Sequence, residues 1–272
     1  MITSSYLSGK LSGLLMRGEP YPKPQIFLGL LNTVPTTPSG VWVEASGGSY
    51  RRIQIISSDM NWDITNGGII SNTHDIISAI ATTTHENISG IGFFDSLTGG
   101  NLLLSGSISP ITTINVGFVL SFRTGELKVS INSTYTDKNN NVSLSLSRVI
   151  INHLFRSGAM NVYPYLYWGL LSEKPSTAHN DGIEVTGNGY ARSPVLSHPS
   201  NWSVSDVNGM TTNTVDFGLP SGTWTDIEGV ALYDSLNGGA ALIIFNLDTP
   251  LHGNTSEILP IIRAGEFSFT IN

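Results

Sequence analysis

Two stretches of the chain carry a carboxylate, a tyrosine and a guanidinium at one spacing: EASGGSYRR, from Glu44 to Arg52, and EVTGNGYAR, from Glu184 to Arg192. Such a repeat could mark two active sites, two binding sites or two copies of one fold. A turn at Gly47-Gly48, and at Gly187-Asn188-Gly189, folds the flanks back and sets Glu44 against Arg52 and Glu184 against Arg192. Glycine supplies the positive φ of such a turn, and Tyr50 or Tyr190 begins the returning strand. An opposed ion pair across a hairpin contributes roughly 0.2–1 kcal/mol, enough to help register. The functional alternative for these six residues is a subunit contact, because arginine and tyrosine are favoured at interface hot spots.

Other chemistry finds little support. Asp95 and Asp234, in FFDSLTGG and LYDSLNGG, invite a calcium reading, but the alternating oxygen ligands of a calcium loop are missing. An Asx-type turn between strands explains both better. The six histidines, His74, His85, His153, His179, His198 and His252, show no metal spacing, and His85 aligns with Trp224 of the other stretch. There is no GxSxG elbow, no P-loop, and no GxGxxG before a helix. The expectation is no catalytic site, no metal and no cofactor. Trp62 and Trp202 match between the copies and are expected in the core or at its rim. Trp42, Trp168 and Trp224 are unmatched, and are the candidates for exposed aromatics on which a host surface glycan would stack.

The elements that must position these residues are themselves repeated. At an offset of 140, FLGLLNTVP (from Phe27) falls on YWGLLSEKP (from Tyr167), and RTGELKVSIN (from Arg123) on RAGEFSFTIN (from Arg263). At 139, ISGIGFFDSLTGG (from Ile88) falls on IEGVALYDSLNGG (from Ile227). Order and spacing kept over more than a hundred residues identify a tandem duplication. The expected division is a first copy over 1–132, a polar linker over 133–142 and a second copy over 143–272, each long enough to fold alone. Leu7, Leu11, Leu14 and Leu15 share a helical face ended by Gly18. Leu146, Ile150, Ile151, Leu154 and Phe155 do so in the second copy, ended by Gly158. The remainder reads as short strands joined by Gly, Pro and Asn turns. The expectation is mainly β: two tandem antiparallel β-sandwich domains of jelly-roll type, each preceded by a short α-helix.

Composition narrows the partners. Only 12% of the 272 residues are charged, against 29 glycines and many hydroxyl and amide side chains. The net charge is −7 and no basic groove is present, which argues against nucleic acid. Apolar runs such as ALIIF are too short to span a membrane, and the first residues, MITSSYLSGK, lack a signal pattern. The absence of cysteine removes disulfides and thiolate chemistry.

Both copies run in one order. A short helix leads to [FY]-x-G-L-L-x-x-x-P, then E-x-x-G-x-x-Y-x-R, then a D-S-L-x-G-G hairpin, and finally a G-E-Φ-x-Φ strand. This order resembles a module of tailed bacteriophages, usually encoded once per chain and labelled a tail fibre protein. The family tends to have Phe-Thr where this chain has Leu31-Asn32 and Leu171-Ser172. The resemblance implies a non-enzymatic structural component of the virion, assembled in the host bacterial cytoplasm. Its partners would be other phage virion proteins, in the tail or on the major capsid protein, and further copies of itself. A tail fibre component or adaptor is the first expectation, capsid decoration the second, and a carbohydrate-binding module the third. With no heptad shaft or collagen-like run, the chain is not expected to be a complete long fibre.

Overall fold

A computed structural model describes residues 1–65, 68–131, 142–175, 182–205, 208–252, 261–269 and 271. The segment expected as a linker lies outside these, apart from Val142.

Helix α1 spans Ser5–Arg17 and helix α2 Leu144–Phe155. The apolar stripes read from the sequence are buried in both. Each helix starts at a serine whose Oγ accepts the N–H three residues on, Ser4 from Leu7 at 3.1 Å and Ser143 from Leu146 at 3.0 Å. Gly18 closes α1 in the left-handed region at φ 67°. The second helix departs from expectation. It stops at Phe155, before Gly158, because Arg156 turns extended and reaches the other copy. There its guanidinium donates to the Trp62 carbonyl at 2.5 Å and pairs with Asp59 at 3.0 Å.

All described strand pairings are antiparallel, and the two copies repeat one another. In the first copy the main sheet runs Ile2–Thr3, Leu102–Ile114, His85–Phe94, Ile26–Thr33 and Val43–Glu44, with Ile53–Ile55 also paired to Ile26–Thr33. In the second it runs Ala241–Leu251, Ile227–Tyr233, Tyr165–Glu173 and Ile183–Glu184, with Ser193–Leu196 paired to Tyr165–Glu173. The central register is shared: Leu31 faces Gly90 as Leu171 faces Gly229. A second small sheet carries the matched tryptophans, on strands Trp62–Ile64 and Trp202–Val204. A two-stranded ribbon completes each copy, Ile76–Ile77 with Ser121–Phe122 and Val215–Asp216 with Ile261–Ile262.

The FLGLL and YWGLL runs are apolar throughout, without the alternation of a half-buried strand, because both faces of the central strand are covered. One face joins the main core. The other packs a small cluster, Phe27, Leu31, Phe94 and Leu102 in the first copy, and Leu171, Ala231, Tyr233, Ala241 and Ile244 in the second.

The copies share more than chain connectivity. A single core cluster runs through both. Helix α1 packs on strand Leu102–Ile114 of its own copy and on Trp202–Val204 of the other. Helix α2 packs on Ala241–Leu251 of its own copy and sends Phe155 into the first. The Phe155 ring lies 5.0 Å from Trp62 and 5.0 Å from Phe93. Each helix therefore meets the tryptophan-bearing strand of the opposite copy, the reciprocal arrangement of a twofold pair.

Candidate functional site

The repeated glutamate, tyrosine and arginine converge in both copies. The turn forms as expected: Gly47 and Gly48 have φ 91° and 54°, and Tyr50 N–H returns to the Gly47 carbonyl at 3.1 Å. Arg52 grips Glu44 with two donors, Nε to Oε1 at 2.8 Å and Nη2 to Oε2 at 2.7 Å. Tyr50 donates its hydroxyl hydrogen to Glu44 Oε1 at 2.7 Å and accepts the Leu30 N–H at 2.9 Å. Arg52 Nη1 then donates to two carbonyls of the DSLTGG loop, Ser96 and Gly99, both at 2.6 Å. Its guanidinium lies 3.5 Å from the centre of the Phe94 ring.

The second copy reproduces each contact. Arg192 donates to Glu184 at 2.8 and 2.7 Å, and to the Ser235 and Gly238 carbonyls at 2.5 and 2.6 Å. It lies 3.4 Å over the Tyr233 ring. Tyr190 bridges Glu184 Oε1 and Leu170 N–H. Burial and the hydrogen bond to glutamate push both tyrosine hydroxyls far above their ordinary value, so they stay protonated donors at any working pH.

The arrangement is a clamp. Arginine, glutamate and tyrosine together tie a hairpin, the central strand and a distant loop, and four of the five arginine donors are engaged within the copy. The arginine side chains are only 3% and 6% exposed and the glutamates 20% and 24%, so this is no exposed pair of a few tenths of a kcal/mol. The hairpin contact expected of these six residues is present, with the arginine charge turned inward. Neither carboxylate is free for acid–base work, since each holds a bidentate arginine and a tyrosine.

The geometry also accounts for the glycine of FLGLL and YWGLL. A Cβ on Gly29 would meet the Phe94 ring at 2.8 Å and Glu44 Oε1 and Tyr50 Oη at 3.0 Å; on Gly169 it would meet Tyr233 at 2.7 Å and Tyr190 Oη at 3.0 Å. The network occupies the volume a side chain would need. Gly29→Ala is expected to destabilise the chain by roughly 1–3 kcal/mol. Thermal melting reads this, and an unchanged midpoint would show that the clamp does not dictate this glycine.

The aspartates close the loops that the arginines hold. Asp95 accepts the Asn101 backbone N–H at 2.6 Å and its side-chain amide at 2.8 Å, and Asp234 accepts the Ala240 N–H at 2.8 Å. Among the described residues no three of His, Asp and Glu gather as metal ligands. His179 lies outside the described residues.

The tryptophan expectation is corrected. Trp168 and Trp224 are 1% and 2% exposed, and Trp42 is half-buried against Phe94 at 5.2 Å. Trp224 fills the slot that His85 fills in the first copy. Its ring stands edge-on to Tyr190 at 5.7 Å, as His85 stands to Tyr50 at 5.9 Å. Trp168 sits within 6.1 Å of the Trp202, Phe245 and Phe267 rings. Neither Trp168 nor Trp224 forms an open platform. Sequence reasoning missed the loop carbonyls of Ser96, Gly99, Ser235 and Gly238 as partners of arginine. Both motifs recur in each copy, 43 residues from Arg52 to Asp95 and 42 from Arg192 to Asp234, but nothing in that spacing implies a contact.

Beside each clamp lies a shallow groove. The first, of about 320 Å³, runs along Tyr50, Arg51 and Leu97; the second, of about 360 Å³, along Tyr190, Ala191 and Leu236. Leu97 and Leu236 are 50% and 46% exposed at equivalent loop tips.

The family model described as Podophage GP4 fiber I protein gp80 matches residues 3–130 and again residues 141–270. No curated protein matches the chain.

Proposed function

We propose a structural role in the phage tail from one premise: the chain belongs to the family of the Podophage GP4 fiber I protein gp80. The double match carries the reading. Both copies are fibre modules, and together they account for nearly all of the chain. The protein is a non-enzymatic component of the virion, a tail fibre component or the adaptor that fixes a fibre to the tail. The clamps suit that role, since each ties a hairpin, a central strand and a loop into one rigid unit. Contacts with neighbouring tail proteins then fall to the loop tips at Leu97 and Leu236 rather than to the enclosed arginines.

Copy number in purified virions, measured by quantitative mass spectrometry against the major capsid protein, tests this. On the order of a few to a few dozen copies is expected of a tail component, whose symmetry is low. Hundreds of copies, the stoichiometry of an icosahedral lattice, would overturn the tail reading in favour of capsid decoration. Absence from the particle would overturn the virion role altogether.

A further inference from the structure

The contact between the copies encloses an imidazole that neither the clamps nor the tail reading uses. His153 stands in the last turn of α2, just before Phe155 and Arg156, the side chains that enter the first copy. It is 2% exposed. Its Nδ1 accepts the Met160 N–H at 3.2 Å, and its Nε2 is buried with no hydrogen-bond partner among the described residues. Against its ring lies Tyr21 of the first copy, 5.7 Å away between centroids, with a hydroxyl that is buried and unpartnered in the same way.

Hydrogen bonding fixes the charge of this ring. An Nδ1 that accepts an N–H keeps its lone pair there, so the imidazole is neutral, with its hydrogen on Nε2. Protonation would set a second hydrogen on Nδ1, donor against donor with the Met160 N–H, and leave a cation in an enclosed seat. Burial accordingly holds the imidazole below its ordinary range, Lys23 of the first copy adds cationic repulsion, and the Tyr21 backbone carbonyl offsets only part of this. The charges nearby do not compensate. Arg148 on α2 and Arg156 just past its end are further cations. Asp59 is taken by the Ser157 N–H and Arg156, which hold its carboxyl below the usual carboxylate range. Asp248, on the strand beneath α2, is exposed, and burial pushes the Tyr21 hydroxyl far up, so it stays protonated. The duplication shows that the fold does not require a histidine here. Counted from the capping serines Ser4 and Ser143, His153 holds the seat that Leu14 holds in α1, also 2% exposed. An apolar side chain fills that seat in the first copy, and a titratable one in the second.

We propose that His153 is an acid-sensitive latch between the two copies: neutral, it seals their contact, and protonated, it loosens the last turn of α2 from the segment around Tyr21. The opened contact takes up its proton at the ordinary histidine value of about 6.5, and the closed one only at lower pH. The seal is therefore complete above about pH 6.5 and is lost as pH falls below it, by at most about tenfold in the opening equilibrium per pH unit. The latch goes beyond the tail reading and does not depend on it, since it belongs to the isolated chain.

Hydrogen exchange of the full-length protein at about pH 7.5 and about pH 5.5, read by mass spectrometry on peptides within 14–25 and 150–164, tests it against His153→Leu. Comparing parent and variant at one pH cancels the intrinsic pH dependence of exchange. From the higher to the lower pH, the ratio of parent to variant exchange in these peptides is expected to rise several-fold, up to about tenfold. A histidine that only fills space would set the same ratio at both pH values, so a change under about twofold overturns the proposal. A rise spread equally over the clamp peptides, at 44–52, would be general acid destabilisation and overturns it as well. Should His153→Leu fail to fold, His153→Asn takes its place, because it keeps an acceptor and cannot titrate. Every one of these results leaves the virion copy number, and so the tail reading, untouched.

Discussion

Arg52→Ala is expected to melt on the order of 10 °C below the parent chain, and Arg192→Ala by a similar amount. Removing one member of a buried ion pair costs about 3–5 kcal/mol, because the survivor keeps its desolvation and loses its partner. Here the surviving glutamate is 20% exposed, so water relieves part of the cost and the loss falls toward the lower end. Two further losses push the other way. The Ser96 and Gly99 carbonyls lose their donor, and Phe94 loses the guanidinium above its ring. The reverse substitution, Glu44→Ala, is expected to be worse, since it strands an arginine that is only 3% exposed. The double change Glu44→Leu with Arg52→Met should recover part of the loss, as apolar replacements of buried pairs do. Calorimetry of the four proteins ranks these losses. If the double variant melts no higher than either single one, the desolvation account is wrong and the loop contacts dominate.

Phe155→Ala should cost about 3–5 kcal/mol, the usual range for emptying a buried aromatic site. The more informative part is the shape of the transition. Phe155 belongs to the second copy but sits between Trp62 and Phe93 of the first, both at 5.0 Å. With one core through both copies, the chain is expected to unfold in a single endotherm before and after the substitution. Two resolved endotherms in the wild type would mean that the copies are energetically separate and that the shared core is too weak to couple them.

Much of this was legible in the sequence. The leucine stripe of α1, the glycine that ends it, the turns at Gly47-Gly48 and Gly187-Gly189, and the pairing of Glu44 with Arg52 are local facts. They follow from spacing and from the conformations glycine allows. The duplication itself needed only an offset. What lay hidden was long-range. No spacing rule says that Arg52 crosses to a loop 44 and 47 residues away, or that Arg156 ends its helix early to reach Trp62. Nor does mismatch between copies identify an exposed residue. Trp224 had no tryptophan counterpart because the same slot takes a histidine in the first copy, each ring set edge-on against a tyrosine. A residue's partner in the fold, not its counterpart in the repeat, decides its burial.

The crossed helices have one more consequence. A pair of separate subunits holding the same contact would fall apart on dilution, because its association depends on subunit concentration. Within one polypeptide that dependence vanishes: the two copies meet by a unimolecular step. A few chains hold the paired arrangement as fully as a concentrated solution does. Scarcity does not undo it.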